Sequence, residues 1–153
     1  MDDISRRVVI GAATALAALA PRTILAAEPG AARGERIALK GYDPVSYFTA
    51  GKPEQGSAEH QASYDGVTYW FRNADHRARF LADPDRYAPQ FHAYCAINVS
   101  RGAKYEADPE AWTIVDGKLY VFGAKEGIPI FRQQTASIVK GAAEHWPELR
   151  KQP

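Results

Sequence analysis

The chain of 153 residues has one cysteine, Cys95, and one methionine, at its first position. A single cysteine excludes an intramolecular disulfide and any metal centre that takes two thiolates from one chain. Surplus charge is lacking too. The formal net charge is +1, and the first 27 residues hold three of the nineteen Lys and Arg and two of the eighteen Asp and Glu, which leaves sixteen of each sign in the remainder. A body without a basic excess lacks the electrostatic footprint of a nucleic-acid binder. Also missing are a Gly-rich phosphate loop, a Ser/His/Asp signature, paired histidines on one helix face and a haem-attachment motif. The one long apolar run, Val8 to Ala20, falls short of the ~20 residues that span a ~30 Å hydrocarbon layer as a helix. What remains, 46% hydrophobic and 11% aromatic residues, suits one globular domain with a real core. A fibre, a polytopic membrane protein and a two-domain enzyme are excluded.

Residues 1–27 read as a signal peptide: a polar start with Arg6-Arg7, the apolar run, then Leu25-Ala26-Ala27 before Glu28-Pro29. Ser5-Arg6-Arg7 directly before the apolar run resembles the start of a twin-arginine export signal, although Val9 and Ile10 stand where such signals prefer Phe and Leu. Cleavage near Ala27 leaves a periplasmic or secreted protein without a membrane anchor. Residues 28–36, rich in Ala, Gly and Pro, read as a flexible leader. The domain occupies 37–150.

Two Asp-Gly pairs, Asp65-Gly66 and Asp116-Gly117, each precede an alternating aromatic run. They supply the positive φ angles of tight turns and predict β-hairpins over roughly 60–72 and 111–122. The two segments share the pattern Asp-Gly-x-x-Tyr-x-Phe, 51 positions apart, a short internal echo of hairpin followed by helix. Asn73 is positioned to cap a helix with Ala74, Ala78, Phe80 and Leu81 inward, ending before Asp83-Pro84. A short helix is expected from Tyr94 to Arg101, closed by Gly102. A last helix, with Ile130, Phe131, Ile138, Val139 and Ala142 inward, is expected to stop at Trp146-Pro147. Hairpins and segregated helices without βαβ alternation predict an α+β fold: a small single domain with two β-hairpins packed against three or four helices.

The ordered motifs Gly41-Tyr42-Asp43-Pro44-Val45-Ser46-Tyr47-Phe48, Tyr64-Asp65-Gly66-Val67-Thr68-Tyr69-Trp70-Phe71, Phe80-Leu81-Ala82-Asp83-Pro84-Asp85-Arg86-Tyr87, Pro89-Gln90-Phe91 and Tyr94-Cys95-Ala96 resemble exported bacterial proteins with a YHS domain. Asp116-Gly117-Lys118-Leu119-Tyr120 and His145-Trp146-Pro147 fit the same group, so the resemblance covers about Ile37 to Pro147. It implies kinship with treble-clef-like metal-binding modules, and hence heavy-metal binding or sensing through cysteines. The chain departs from that pattern at the ligands, because the family's cysteine positions fall on Ser46, Arg72 and His76.

The donors that remain for a soft ion such as Zn or Cu are Cys95 and His92, with His76 as a third ligand. Asp43 and Ser46 are weaker oxygen donors. Cys95 reads alternatively as a buried apolar residue, as a reactive thiol activated by His92, or as one half of an intermolecular disulfide. His76 reads equally as a solvated residue of a first helical turn, and His60 and His145 as surface residues. Three functions follow. The first is an exported accessory binding protein of the YHS type that binds or senses a heavy-metal ion. The second is a metal-free module for a small molecule or a periplasmic protein partner, with Asp43, Ser46 and Tyr47 beside the aromatic hairpin lining a groove. The third is a thiol-dependent redox enzyme built on Cys95.

Overall fold

A computed structural model describes residues 35–153; the expected signal peptide and most of the expected leader lie outside the described residues. Two antiparallel hairpins carry the fold, as the Asp-Gly pairs predict. β2 (Ser57–Tyr64) turns through Asp65-Gly66 into β3 (Val67–Phe71), and β4 (Asp108–Val115) turns through Asp116-Gly117 into β5 (Lys118–Phe122). Both aspartates and both glycines of the turns have positive φ, which is the conformation this pair tolerates. Strand β1 (Arg36–Ile37) adds in parallel to β3, giving a three-stranded sheet in the order β1-β3-β2 beside the two-stranded β4-β5 sheet. The end of the expected leader is thus part of the domain. Glu35 also accepts hydrogen bonds from the Ser63 and Thr68 hydroxyls, at 2.6 and 2.9 Å.

Six α-helices are present among the described residues, and three of them are single turns. They are α1 (Ser46–Thr49), α2 (Ala74–Ala82), α3 (Pro84–Tyr87), α4 (Ala96–Val99), α5 (Gly127–Gln133) and α6 (Thr135–Leu149). The result is a small single α+β domain of two hairpins and helices.

The echo heard in the hairpins extends through most of the chain. Each hairpin is preceded by a 3-10 turn, Ala38–Gly41 or Gln90–Ala93, in which consecutive residues adopt positive φ: Leu39, Lys40 and Gly41 in the first, Phe91, His92 and Ala93 in the second. A tyrosine follows each turn and forms an isolated antiparallel bridge, Tyr42 to Gln55 and Tyr94 to Glu106. The next amide donates across the same loop, Asp43 to the Glu54 carbonyl and Cys95 to the Tyr105 carbonyl, both at 2.9 Å. One-turn helices α1 and α4 come next. Both hairpins then shift register at the same place, between Ser57 and Gln61 and between Asp108 and Trp112.

The aromatic packing repeats as well. Phe80 lies 4.9 Å from Tyr69 and 5.0 Å from Phe71, and Phe131 lies 4.7 Å from Tyr120 and 5.2 Å from Phe122, with closely matching ring angles. Every one of these ring pairs sits 51 positions from its counterpart. Residues 38–82 and 90–133 are therefore two copies of one unit, to which β1 and α6 are added. The first core cluster gathers Leu39, Tyr47, Tyr69 and Phe80 from the first unit with Ala93, Ala107, Leu119 and Val121 from the second, so the copies are interlocked.

Three helix expectations change. Asn73 does cap α2, its side chain accepting from the His76 amide at 2.8 Å, but Ala74, Ala78 and Leu81 face solvent. His76 and Phe80, four residues apart and so on one face, are the buried pair. The expected last helix is two helices, α5 and α6, broken at Gln134, and Ile130 is exposed. Pro147 does not end α6. A proline inside a helix forfeits one amide bond, yet the chain continues helically to Leu149, which is buried against Val99 and Ala142.

Candidate functional site

The sequence-derived site residues occupy three separate places. Asp43 is fully buried at the start of α1, where it ties three segments together. Its Oδ1 accepts the Val45 amide at 2.8 Å, and its Oδ2 accepts the Arg72 amide at 3.0 Å and bonds His76 Nδ1 at 2.6 Å. His76 is itself buried rather than solvated. Ser46 Oγ donates to the Asp43 carbonyl at 2.7 Å and accepts the Glu54 amide at 3.2 Å, while the Arg72 guanidinium pairs with Glu54 at 2.6 Å. Tyr47 packs edge-on against Trp112 and donates its hydroxyl to the Pro109 carbonyl at 2.9 Å. Burial, with Glu110 beside it, pushes that hydroxyl well above the usual phenol range. Asp43, Ser46 and Tyr47 are thus buried rather than exposed along a groove: the polar atoms of Asp43 and Ser46 close the first unit, and the Tyr47 hydroxyl ties it to the second.

The second unit carries the same place with other residues in it. Cys95 stands for Asp43, Asn98 for Ser46, Gly123 for Arg72 and Gly127 for His76. The polar closure is gone, and in its stead lies an open cleft of about 260 Å³ bordered by Cys95, Ile97, Asn98, Tyr105, Phe122 and Gly127. The Cys95 thiol lies at its floor, 3% exposed, and no histidine borders it. Nearly every position lining the cleft is the counterpart of one in the Asp43 closure. Gly127 also lets α5 approach β5, since a Cβ there would lie 3.0 Å from Phe122 Cβ.

His92 lies elsewhere again, at the seam between the units. Its Nε2 is 2.9 Å from Asp65 Oδ2, and Arg150 bonds the other oxygen of the same carboxylate. Partial burial works to raise the Asp65 carboxyl. The hydrogen bond and charge of His92, joined by Arg150, overcome this and hold it below the ordinary carboxylate range. With Asp65 ionised, Nε2 of His92 carries the donated proton. The imidazole meets Trp146 edge-on at 4.8 Å.

Cys95, His92 and His76 are therefore not gathered into one site, and among the described residues no group of three or more His, Cys, Asp or Glu side chains is placed to hold a metal ion. At the positions where the YHS resemblance implies cysteine ligands, a hydroxyl and an imidazole are hydrogen bonded into the Asp43 closure and a guanidinium is paired with Glu54. That donor set does not fit a soft cation, because an arginine repels it and the imidazole nitrogen facing the cluster is already committed. The chain matches no family model, and searches of curated proteins and of solved structures return no match. Among the described residues no helix is long and apolar enough to cross a membrane.

Sequence reasoning missed Tyr105, Gly123 and Gly127 as niche residues and Asp65 and Arg150 as partners of His92. The signal for the first set was present. Carried forward past the hairpin, the 51-residue echo pairs Gly123 and Gly127 with Arg72 and His76; carried back, the spacing lengthens by one to 52 and pairs Cys95 with Asp43. Nothing local marks Arg150, which is 85 positions from Asp65.

Proposed function

We propose that the chain is an exported accessory binding module of the YHS type that takes a small flat group, from a small molecule or from a partner's side chain, into the niche over Cys95, without a resident metal. The observation that carries this reading is the pairing of one closed and one open copy of the same niche in a single chain. In the closed copy the same place is taken by the chain's own His76 imidazole, hydrogen bonded to Asp43 at its floor, and this supports a flat group as the occupant of the open one. In the open copy that floor residue is a thiol, a weak donor and a polarizable apolar surface, and its walls are Ile97, Phe122 and the Tyr105 ring. The order of the YHS motifs and the arginine-led apolar start support export of the domain.

The test is native-state labelling of Cys95 with a small thiol reagent, combined with metal analysis. In the wild type, labelling proceeds faster than global unfolding. Ala124→Phe, at the exposed rim of the niche, slows it, and Tyr105→Ala, which removes an exposed wall, speeds it. A Cys95 that reacts only as fast as the protein unfolds would show that the niche admits nothing. Zn or Cu retained stoichiometrically after desalting, and lost in Cys95→Ala, would overturn the metal-free reading in favour of the metal-binding one.

A further inference from the structure

Each residue bordering the cleft over Cys95 has a counterpart around Asp43, 51 or 52 positions earlier. Phe122 repeats Phe71, and Ile97 enlarges Val45. Tyr105 stands for Glu54, whose partner in the first unit is Arg72. Gly123 takes the place of that arginine, and the Tyr105 ring lies over it, so near that a Cβ at Gly123 would be 2.8 Å from the ring edge. The volume of the arginine is thus refilled. His76 is treated differently: its counterpart is Gly127, and the cleft of about 260 Å³ opens where the imidazole would be.

Helix α5 cannot supply the missing ring from that position. A Cβ at Gly127 would lie 3.0 Å from Phe122 Cβ and 3.3 Å from Ile97 Cδ1, inside the ~3.5–4.0 Å of a good carbon contact. The helix sits too close to β5 and α4 to bear a side chain there, so an occupant enters from solvent past the exposed rim at Ala124.

The polar groups around the cleft suit the ring that the first unit provides for itself. There His76 Nδ1 bonds Asp43 Oδ2 at 2.6 Å. In the second unit the Cys95 thiol at the floor is a weak donor with a polarizable surface. Asn98, half-buried at the rim, makes no side-chain hydrogen bond among the described residues and offers both donors and an acceptor. A neutral imidazole carries one N–H donor and one acceptor nitrogen, which matches both. No charged side chain borders the cleft, and Lys125 and Glu126 on the adjoining turn are exposed and opposite in sign. An imidazolium would lose water there without gaining a counter-ion.

Resting on the open niche proposed above, we infer that its occupant is a neutral imidazole, either free or on a histidine side chain of a partner. One repeat fills the niche from its own helix; the other takes the same ring from outside.

Protection of Cys95 from native-state labelling tests this, with imidazole, pyrrole and N-acetylhistidine methylamide as probes and free cysteine as the reference for effects on the reagent. Imidazole at about 50 mM and pH about 8 slows labelling about fivefold, which corresponds to a Kd near 10 mM and is well within what five heavy atoms can supply. Pyrrole, which lacks the acceptor nitrogen, protects about threefold less. Equal protection by N-acetylhistidine methylamide identifies a partner's histidine as the source, and protection by imidazole alone identifies a free small molecule. Imidazole also raises the melting temperature, a rise that fades below about pH 6.5 as the ring protonates and is absent in Ala124→Phe. Labelling that is faster than unfolding yet indifferent to imidazole, equal protection by pyrrole, or a melting shift that persists at low pH would each overturn the imidazole assignment and leave the open niche standing. Labelling only as fast as unfolding removes both.

Discussion

Asp43→Ala tests whether the Asp43 closure has the structural weight its geometry gives it, and Cys95→Ala is its built-in control at the equivalent position of the other repeat. Removing the Asp43 carboxylate orphans the buried Val45 amide, the His76 ring nitrogen and the half-buried Arg72 amide. A buried donor left without its partner costs about 1–3 kcal/mol, toward the lower end where water can reach it. The three together come to roughly 4 kcal/mol, out of a total stability of about 5–15 kcal/mol for a domain of this kind. Cys95→Ala removes one sulfur from an apolar setting, comparable to a buried methylene at about 0.8 kcal/mol.

Urea unfolding followed by the fluorescence of Trp70, Trp112 and Trp146 reads both. With an m-value of about 1.5 kcal/mol/M, Asp43→Ala lowers the midpoint by roughly 2–3 M and Cys95→Ala by less than about 1 M. Should Asp43→Ala be unfolded without urea, Asp43→Asn, which keeps one acceptor and turns the other into a donor facing the Arg72 amide, falls between the two. The reasoning is refuted if the Asp43 and Cys95 variants lose stability equally.

Further outcomes follow from other contacts. Tyr47→Phe, which leaves the Pro109 carbonyl without its donor, costs about 1–2 kcal/mol by the same unfolding assay. Pro147→Ala restores an amide donor inside a helix that is already formed and raises the melting temperature by several degrees in calorimetry. Asp65 has a folded-state pKa below its unfolded value, so its contribution is present above the unfolded value, near 3.9, and is lost as pH falls through the folded one. In unfolding titrations against pH, the gap between wild type and Asp65→Asn therefore closes on acidification below about pH 4.

The hairpins were legible because Asp-Gly pairs and alternating aromatics are local signals, and Asn73 announced α2 by the chemistry of its cap. The orientation of α2 was not legible. Small alanines fit either face, and what turned His76 inward is a carboxylate 33 positions earlier. The persistence of α6 through Pro147 was hidden for a similar reason, since the packing of Leu149 outweighs a local helix breaker. Cys95 and His92 looked like a ligand pair because they are three residues apart. Yet the second 3-10 turn, with three successive positive-φ residues, sends His92 to the seam while Cys95 enters the core of the second unit. Spacing alone pointed to His92 and Cys95 converging, and the long-range register of the two repeats separates them.

The interlocking of the repeats has a practical consequence. Since one core cluster draws side chains from both copies, a ligand bound in the Cys95 niche raises the unfolding free energy of the whole domain by RT ln(1 + [L]/Kd). A thermal-shift screen therefore reads niche binding from the melting of both repeats together. Repeating it on Ala124→Phe tells a niche ligand from one bound elsewhere.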